Sequence, residues 1–318
     1  MDLLSNNSVE NLSLSEKKEY YESLKKQCLL LKDDQLRFGQ GMIKRVYPLF
    51  RSYKIELEGE ENIPKDSNVL FLVNHSNSHD IFTGYEFFSL LNRRGSVMVA
   101  TDCLNPITVG VFYASNATLL DRRKKEDRNN SIFRLSKKIL MGNDGLIFGE
   151  STWNLHPVLP MHNIKNGVSK VSAITQVPII PTIFEYVEED GLFQSEGQLY
   201  KKCIIRFGKP VMINCGEDLI SQTNKLRQEM INMRRKVWSD NGIKKDNIRD
   251  IDPSIYVNHT YLKKFKSFGF TYDSPKEQEF LLFLGDEPKE NEYTITPNGQ
   301  FLPGYTEKKD KLGKILYK

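Results

Sequence analysis

No apolar run in the 318 residues approaches the roughly 18 that a membrane-spanning helix needs, so any meeting with a bilayer is expected to be peripheral. The amino terminus, Met1-Asp2-Leu3-Leu4-Ser5, has neither a basic region nor an apolar core and does not read as a secretion signal. Cysteine is scarce. Cys28, Cys103, Cys203 and Cys215 form no Cys-x-x-Cys pair, which fits free thiols in a reducing cytoplasm. Excess charge is also missing: a net +4 is too small for this length to argue for nucleic-acid binding. Hydrophobic content of 39% and charged content of 27% are those of an ordinary globular chain.

What the chain has is a short, wholly apolar stretch that ends in polar residues. Val69-Leu70-Phe71-Leu72-Val73 is too brief for a stable helix and reads as a buried strand. Asn74-His75-Ser76-Asn77-Ser78-His79-Asp80 follows, and Ile81 and Phe82 restart an apolar pattern of helical type over about residues 81–92. A strand, a polar turn and a helix in that order commonly carry the chemistry of an α/β protein. Five residues separate His75 from Asp80, about 500° on a regular helix, so the two cannot share a helical face. They meet only if His75 lies in the turn and Asp80 in the first turn of the helix. The carboxylate would then take the Nδ1 proton and leave Nε2 as a base.

His75-Ser76-Asn77-Ser78-His79-Asp80 resembles the His-x4-Asp motif of the PlsC-like glycerolipid and lysophospholipid acyltransferases, and further blocks of that family follow in order. Residues 109–120 lead into Asp121-Arg122-Arg123-Lys124-Lys125, similar to the block whose arginine faces the acceptor's phosphate. Eight Lys or Arg stand against three Asp or Glu over residues 121–138, and such a run also suits a solvated helix face. Leu146-Ile147-Phe148-Gly149-Glu150-Ser151-Thr152 is similar to the family's Phe-Pro-Glu-Gly-Thr-Arg, with Gly149 for the usual Pro, Ser151 for Gly and Trp153 for Arg. Gly167 and Val177-Pro178-Ile179-Ile180-Pro181-Thr182 resemble the fourth block, a helix running into a strand.

The resemblance implies acyl transfer from a thioester donor, acyl-CoA or acyl carrier protein, to a lipid or alcohol hydroxyl, with no cofactor. It names His75 and Asp80 as catalytic. Arg122, Arg123, Gly149, Glu150, Ser151 and Thr152 become substrate-binding, Glu150 by holding an acceptor hydroxyl or fixing the Arg122 region. Backbone amides after His75, or in the turn at 149–152, would hold the oxyanion. Arg122 and Arg123 favour a glycerol-phosphate-type acceptor such as lysophosphatidate, and Trp153 favours a neutral or sugar-like alcohol. A thioesterase and a non-catalytic lipid- or carrier-binding protein are the alternatives. His79 is the rival histidine, expected to be exposed. No metal is expected: His75 and His79 lie four apart, but Ser76 stands where a metalloprotease has Glu.

The expected architecture is α/β, a mainly parallel sheet flanked by helices. An N-terminal helical region takes residues 1–52, with helices after the capping box Ser13-Leu14-Ser15-Glu16 and over 36–47. An acyltransferase domain spans 53–238. An appendage of unknown role fills 239–318, with a loop at 299–304. Location is expected to be cytoplasmic, on the inner membrane face if on a membrane at all.

Overall fold

A computed structural model describes residues 12–30, 51, 53–77, 79–101, 115–122, 124–151, 154, 160–161, 163–188, 200–243, 293–295 and 301–303, with single positions at 45, 48, 49 and 112. Helix α1 (Leu14–Leu30) opens on reciprocal bonds, Ser13 N to Glu16 Oε2 at 2.7 Å and Glu16 N to Ser13 Oγ at 3.4 Å, which satisfy amides that a helix start leaves open. The helix expected over 36–47 lies outside the described residues, Arg45 excepted.

Strands β1 (Lys54–Glu58), β2 (Leu70–Val73), β3 (Gly95–Ala100), β4 (Thr118–Leu120), β5 (Asp144–Phe148), β6 (Ile179–Glu188) and β7 (Tyr200–Phe207) form one seven-stranded sheet. Its order is β1-β7-β6-β2-β5-β3-β4, and every neighbouring pair is parallel except β6 with β7. Strand β2 lies between two parallel neighbours with helices on both faces, so all four of its residues must be apolar. Leu70 and Leu72 point to one face, Phe71 and Val73 to the other.

Helix α2 (Asp80–Leu90) joins β2 to β3 and packs Tyr85, Phe87 and Phe88 on the Phe71 face. Helices α3 (Lys125–Leu140) and α4 (Gly167–Thr175) cover the opposite face, joined there by α1 and α5 (Leu219–Asp240). The right-handed rule explains the division. The chain moves outward from β2 to β3 and back from β4 to β5 to β6, so the returning helices fall on the other side. At the edge, β1 is shielded by charge: Lys202 pairs with Glu56 at 2.7 Å and Arg206 with Glu58 at 2.6 Å.

Tyr293–Ile295 (β8) and Phe301–Pro303 (β9) form an antiparallel pair. The loop expected at 299–304 is therefore corrected at 301–303. Phenylalanine at 301 is a residue type common in strands, and Pro303 is tolerated at the end of a two-stranded ribbon.

Gly95 begins β3 against α2, and a Cβ there would lie 2.2 to 2.4 Å from three atoms of the Phe88 ring. That ring is buried, stacked on Phe87 at 4.5 Å and edge-on to Phe71 at 5.8 Å, so it cannot step aside. Gly95→Ala is expected to lower unfolding free energy by about 1–3 kcal/mol, the usual cost of overpacking. A urea midpoint equal to wild type would show that α2 does not pack on β3 in this way.

Candidate active site

The carboxyl ends of β2, β4 and β5 lie on one edge of the parallel part of the sheet, and the expected site residues follow them. After β2 the chain is anchored by Asn74, whose Oδ1 accepts from Phe184 N at 2.7 Å and whose Nδ2 donates to Phe184 O at 3.0 Å. Next comes His75, held from three sides. Its N–H donates to Glu150 Oε1 at 2.8 Å, its carbonyl accepts from Asn154 N at 2.5 Å, and its ring stacks on Phe148 with centroids 4.4 Å apart.

His75 Nδ1 lies 2.9 Å from Asp80 Oδ2, with Asp80 wholly buried and the histidine side chain 13% exposed. Asp80 is the first residue of α2 and His75 lies in the turn before it, the one arrangement in which residues five apart could meet. Asn77 closes the turn. Its N–H donates to the same Asp80 Oδ2 at 2.8 Å, its carbonyl accepts from Asp80 N at 3.2 Å, and its Nδ2 donates to Tyr200 Oη at 2.6 Å. Among the described residues Asp80 Oδ1 has no hydrogen-bond partner. His79 points elsewhere. It is half-buried rather than exposed, its ring edge-on to Tyr53 at 6.1 Å and Tyr200 at 6.4 Å.

Gly149 N donates to Val73 O at 2.9 Å, a bond that proline could not make, and a Cβ there would lie 2.6 Å from Leu72 Cδ1. Ser151 takes a left-handed φ of 59°, costly for a residue with a Cβ by about 1–2 kcal/mol. Arg122 Nη1 holds that turn by donating to Ser151 O at 2.5 Å, and Arg128 Nη1 donates in turn to Arg122 O at 2.6 Å. Burial and the charge of Arg128 pull the Lys165 amine below the usual lysine range. Arg123 and Thr152 lie outside the described residues.

Glu150 is only 2% exposed and engages the His75 backbone. The amides of His75, Asn77, His79, Asp80, Gly149 and Ser151 already donate within the protein, which removes them from the expected oxyanion donors. Sequence reasoning missed Asn74, Asn77, Phe148 and Tyr200. Only the Asn-x-x-Asp spacing hinted at any of them, as a side chain or amide at a helix start. Among the described residues no group of three or more His, Cys, Asp or Glu is placed to hold a metal ion, and no helix is long and apolar enough to cross a membrane.

Comparison with known proteins bears on the same segment. Residues 54–185 match the family model Acyltransferase, a span that contains His75, Asp80, Arg122, Glu150 and strands β1 to β5 with most of β6. Over those residues the chain is similar to the acyltransferase family. Among solved structures, the 1-acyl-sn-glycerophosphate (LPA) acyltransferase PlsC from Thermotoga maritima is similar at 16% identity and a TM-score of 0.43, over 72% of this chain and 85% of that one. No curated protein matches the chain.

In this acyltransferase, Glu150→Ala would leave the His75 amide without its acceptor. The expected loss is about 1–3 kcal/mol of stability, the cost of an unmet buried donor. Turnover should fall with acceptor KM nearly unchanged. A rise in acceptor KM at constant kcat would instead return Glu150 to the role of binding an acceptor hydroxyl.

Proposed function

We propose that the enzyme moves a fatty acyl group from a thioester, acyl-CoA or acyl carrier protein, to a hydroxyl of a glycerol-phosphate-type lipid acceptor such as lysophosphatidate. The observation that carries this reading is the 2.9 Å approach of His75 Nδ1 to the buried Asp80 carboxylate within an acyltransferase domain. A carboxylate only accepts, so the Nδ1 proton faces Asp80 and Nε2 keeps its lone pair. Nε2 takes the acceptor's hydroxyl proton as that oxygen bonds to the thioester carbonyl carbon. The tetrahedral intermediate collapses with loss of the carbon–sulfur bond, and the leaving thiolate recovers the proton from the imidazolium. One ester and one thiol result, with no change of oxidation state, and the step calls on no metal or cofactor. Asp80 orients the ring and offsets its positive charge. Nucleophile and acceptor are the same molecule, so no enzyme serine or cysteine is consumed.

A phosphate on the acceptor is supported by the basic groups around the turn at 149–151. Arg122 reaches Ser151, Arg128 braces Arg122, and Lys165 N donates to Gly149 O at 3.1 Å. Arg123 adjoins them in sequence. Arginine suits this task because its fork can offer two parallel donors to one phosphate. Lipid would be met peripherally, at the cytoplasmic membrane surface.

The test offers acyl-CoA and acyl carrier protein donors against phosphorylated and neutral alcohols, with release of thiol and formation of ester both followed. His75→Ala should cut turnover by roughly 10²–10⁴-fold, the worth of a positioned base, and His79→Ala far less. Activity retained in His75→Ala but lost in His79→Ala would overturn the assignment of the base. Arg122→Ala should raise KM for phosphorylated acceptors by about tenfold or more, the value of one charge-assisted contact. Equal use of neutral alcohols by wild type and Arg122→Ala would remove the phosphate from the proposal.

A further inference from the structure

Three buried tyrosines meet at the start of α2, each from a different part of the sheet. Tyr53 leads into β1, Tyr186 lies in β6, and Tyr200 opens β7. Their rings pack on one another, with centroids 5.1 Å apart for Tyr186 and Tyr200, 5.5 Å for Tyr53 and Tyr186, and 6.1 Å for Tyr53 and Tyr200. The phenols reach two different partners. Tyr53 Oη and Tyr186 Oη lie 3.0 and 2.9 Å from Thr83 Oγ1, whereas Tyr200 Oη accepts from Asn77 Nδ2 at 2.6 Å. Topology gives Tyr200 that reach. Strand β2 ends opposite Thr182 of β6, but β6 and β7 run on to Glu188 and Tyr200, beside the turn that follows β2. Because β7 is antiparallel to β6, its first residue is the one that lies at this edge.

Asn77 is the residue through which Tyr200 touches the site. Donors and acceptors decide its side-chain orientation. The His79 N–H can only donate, and it lies 3.0 Å from Asn77 Oδ1, so Nδ2 faces Tyr200 and the phenol oxygen is the acceptor. The backbone N–H of Asn77 donates to Asp80 Oδ2 at 2.8 Å, the same oxygen that lies 2.9 Å from His75 Nδ1. Direct contacts thus run without a gap from Tyr200 through Asn77 and Asp80 to His75. The bonds of the Asn77 side chain differ in what they fix. The one to His79 lies inside the turn and moves with it. The one to Tyr200 spans 123 residues and ties the turn to the sheet. Tyr200 is itself held, 7% exposed and opposite Glu188 in the strand ladder.

We propose that Tyr200 is a positioning residue of the active site, whose phenol oxygen holds the Asn77 turn so that its amide keeps the Asp80 carboxylate aimed at His75. This role rests on the reading of His75 as the base. The phenol touches neither reactant. It stops the turn from swinging, since a shift of the Asn77 amide would leave Asp80 Oδ2 one bond short and free to rotate off the imidazole.

The variant Tyr200→Phe removes one oxygen and keeps the ring among its neighbours. In ¹⁵N-labelled full-length protein, exchange of the Asn77 backbone amide should quicken by about three- to tenfold, the worth of one buried hydrogen bond. Asp80 selects the Nδ1 proton of the neutral His75 ring, and the ¹⁵N signals of that ring report which nitrogen carries it. The share protonated on Nε2 should rise several-fold in Tyr200→Phe. Neither measurement needs substrate. Tyr53→Phe removes a phenol from the same cluster, but from Thr83. It should lower the melting temperature comparably, yet leave the Asn77 amide and the His75 ring within about twofold of wild type. Tyr200→Phe added to Asn77→Ala should perturb His75 no further, the signature of one shared interaction. In acyl-transfer assays Tyr200→Phe should lower kcat by about three- to tenfold with both KM values within about twofold. Unchanged His75 signals in Tyr200→Phe, an equal change in Tyr53→Phe, or an unchanged kcat overturns the proposal and leaves Tyr200 as core packing. Should Tyr200→Phe fail to fold, Asn77→Ser removes the same contact from its other end. A faster amide at position 77 with the same ring shift then supports the proposal, and wild-type values overturn it. Absence of acyl transfer by wild-type protein would overturn the function alone, since amide exchange and ring protonation are read without it.

Discussion

A carboxylate with no solvent exposure sits at the first residue of α2, and the geometry of the site depends on satisfying it. Removing such a group from water costs several kcal/mol unless partners are fixed around it. Among the described residues Asp80 has two, the Asn77 amide and His75 Nδ1, both on one oxygen, and it gains from the partial positive charge at the start of its own helix. These demands decide the path of the chain. The turn must be tight enough to bring the Asn77 amide back onto Asp80, and the residue leaving β2 must present its ring rather than its backbone. The imidazole is therefore oriented by the same bonds that make burial of Asp80 tolerable, so under the proposed mechanism folding and catalysis draw on one interaction.

Around that pair the protein uses backbone-directed side chains to hold a turn that has no regular structure of its own. Asn74 ties it to β6 through both polar atoms, and Glu150 ties it to the end of β5. Arg122 does the same for the Ser151 turn from the end of β4. The Glu150 bond links the carboxyl ends of two adjacent strands, β5 and β2, which a parallel arrangement places side by side. The sheet supplies position, and these few polar groups convert position into orientation. Burial on both faces of β2 makes the platform stiff enough for such bonds to matter.

The local parts of this design were legible in the residues. Five apolar positions followed by a polar turn gave β2 and the start of α2, because strand burial and helix initiation are short-range matters. The meeting of His75 with Asp80 was legible too, since helical geometry left only one way for residues five apart to touch. Contacts across long separations were not. The bond from Glu150 to the His75 amide spans 75 residues, and nothing at either position signals the other. The antiparallel β7 gave no sign either, because an alternating strand reads the same in both directions. Nothing in the sequence marks Arg227 and Arg234 as buried, for an inward-facing arginine declares itself only through what it meets.

The buried thiols bear on whether the acyl group passes through the protein. A cysteine attacks as thiolate, and burial penalises that form. Cys203 lies wholly inside, where desolvation, with the nearby carboxylates Asp80 and Glu185, drives its pKa well above the ordinary thiol value. Cys215 is also buried, and its Sγ is engaged by Gln176 Nε2 at 3.2 Å and lies 3.8 Å from Ala173 O. Ser76, one residue from His75, takes a hydrogen bond from Asn74 and sits in no Gly-x-Ser-x-Gly turn that would expose it as a nucleophile. These described side chains argue against an acyl-enzyme. In the proposed mechanism a base held by a buried acid takes its nucleophile from outside, as an alcohol brought beside His75. Direct transfer to that alcohol would make its placement, rather than the reactivity of any protein nucleophile, the factor that separates ester formation from hydrolysis by water.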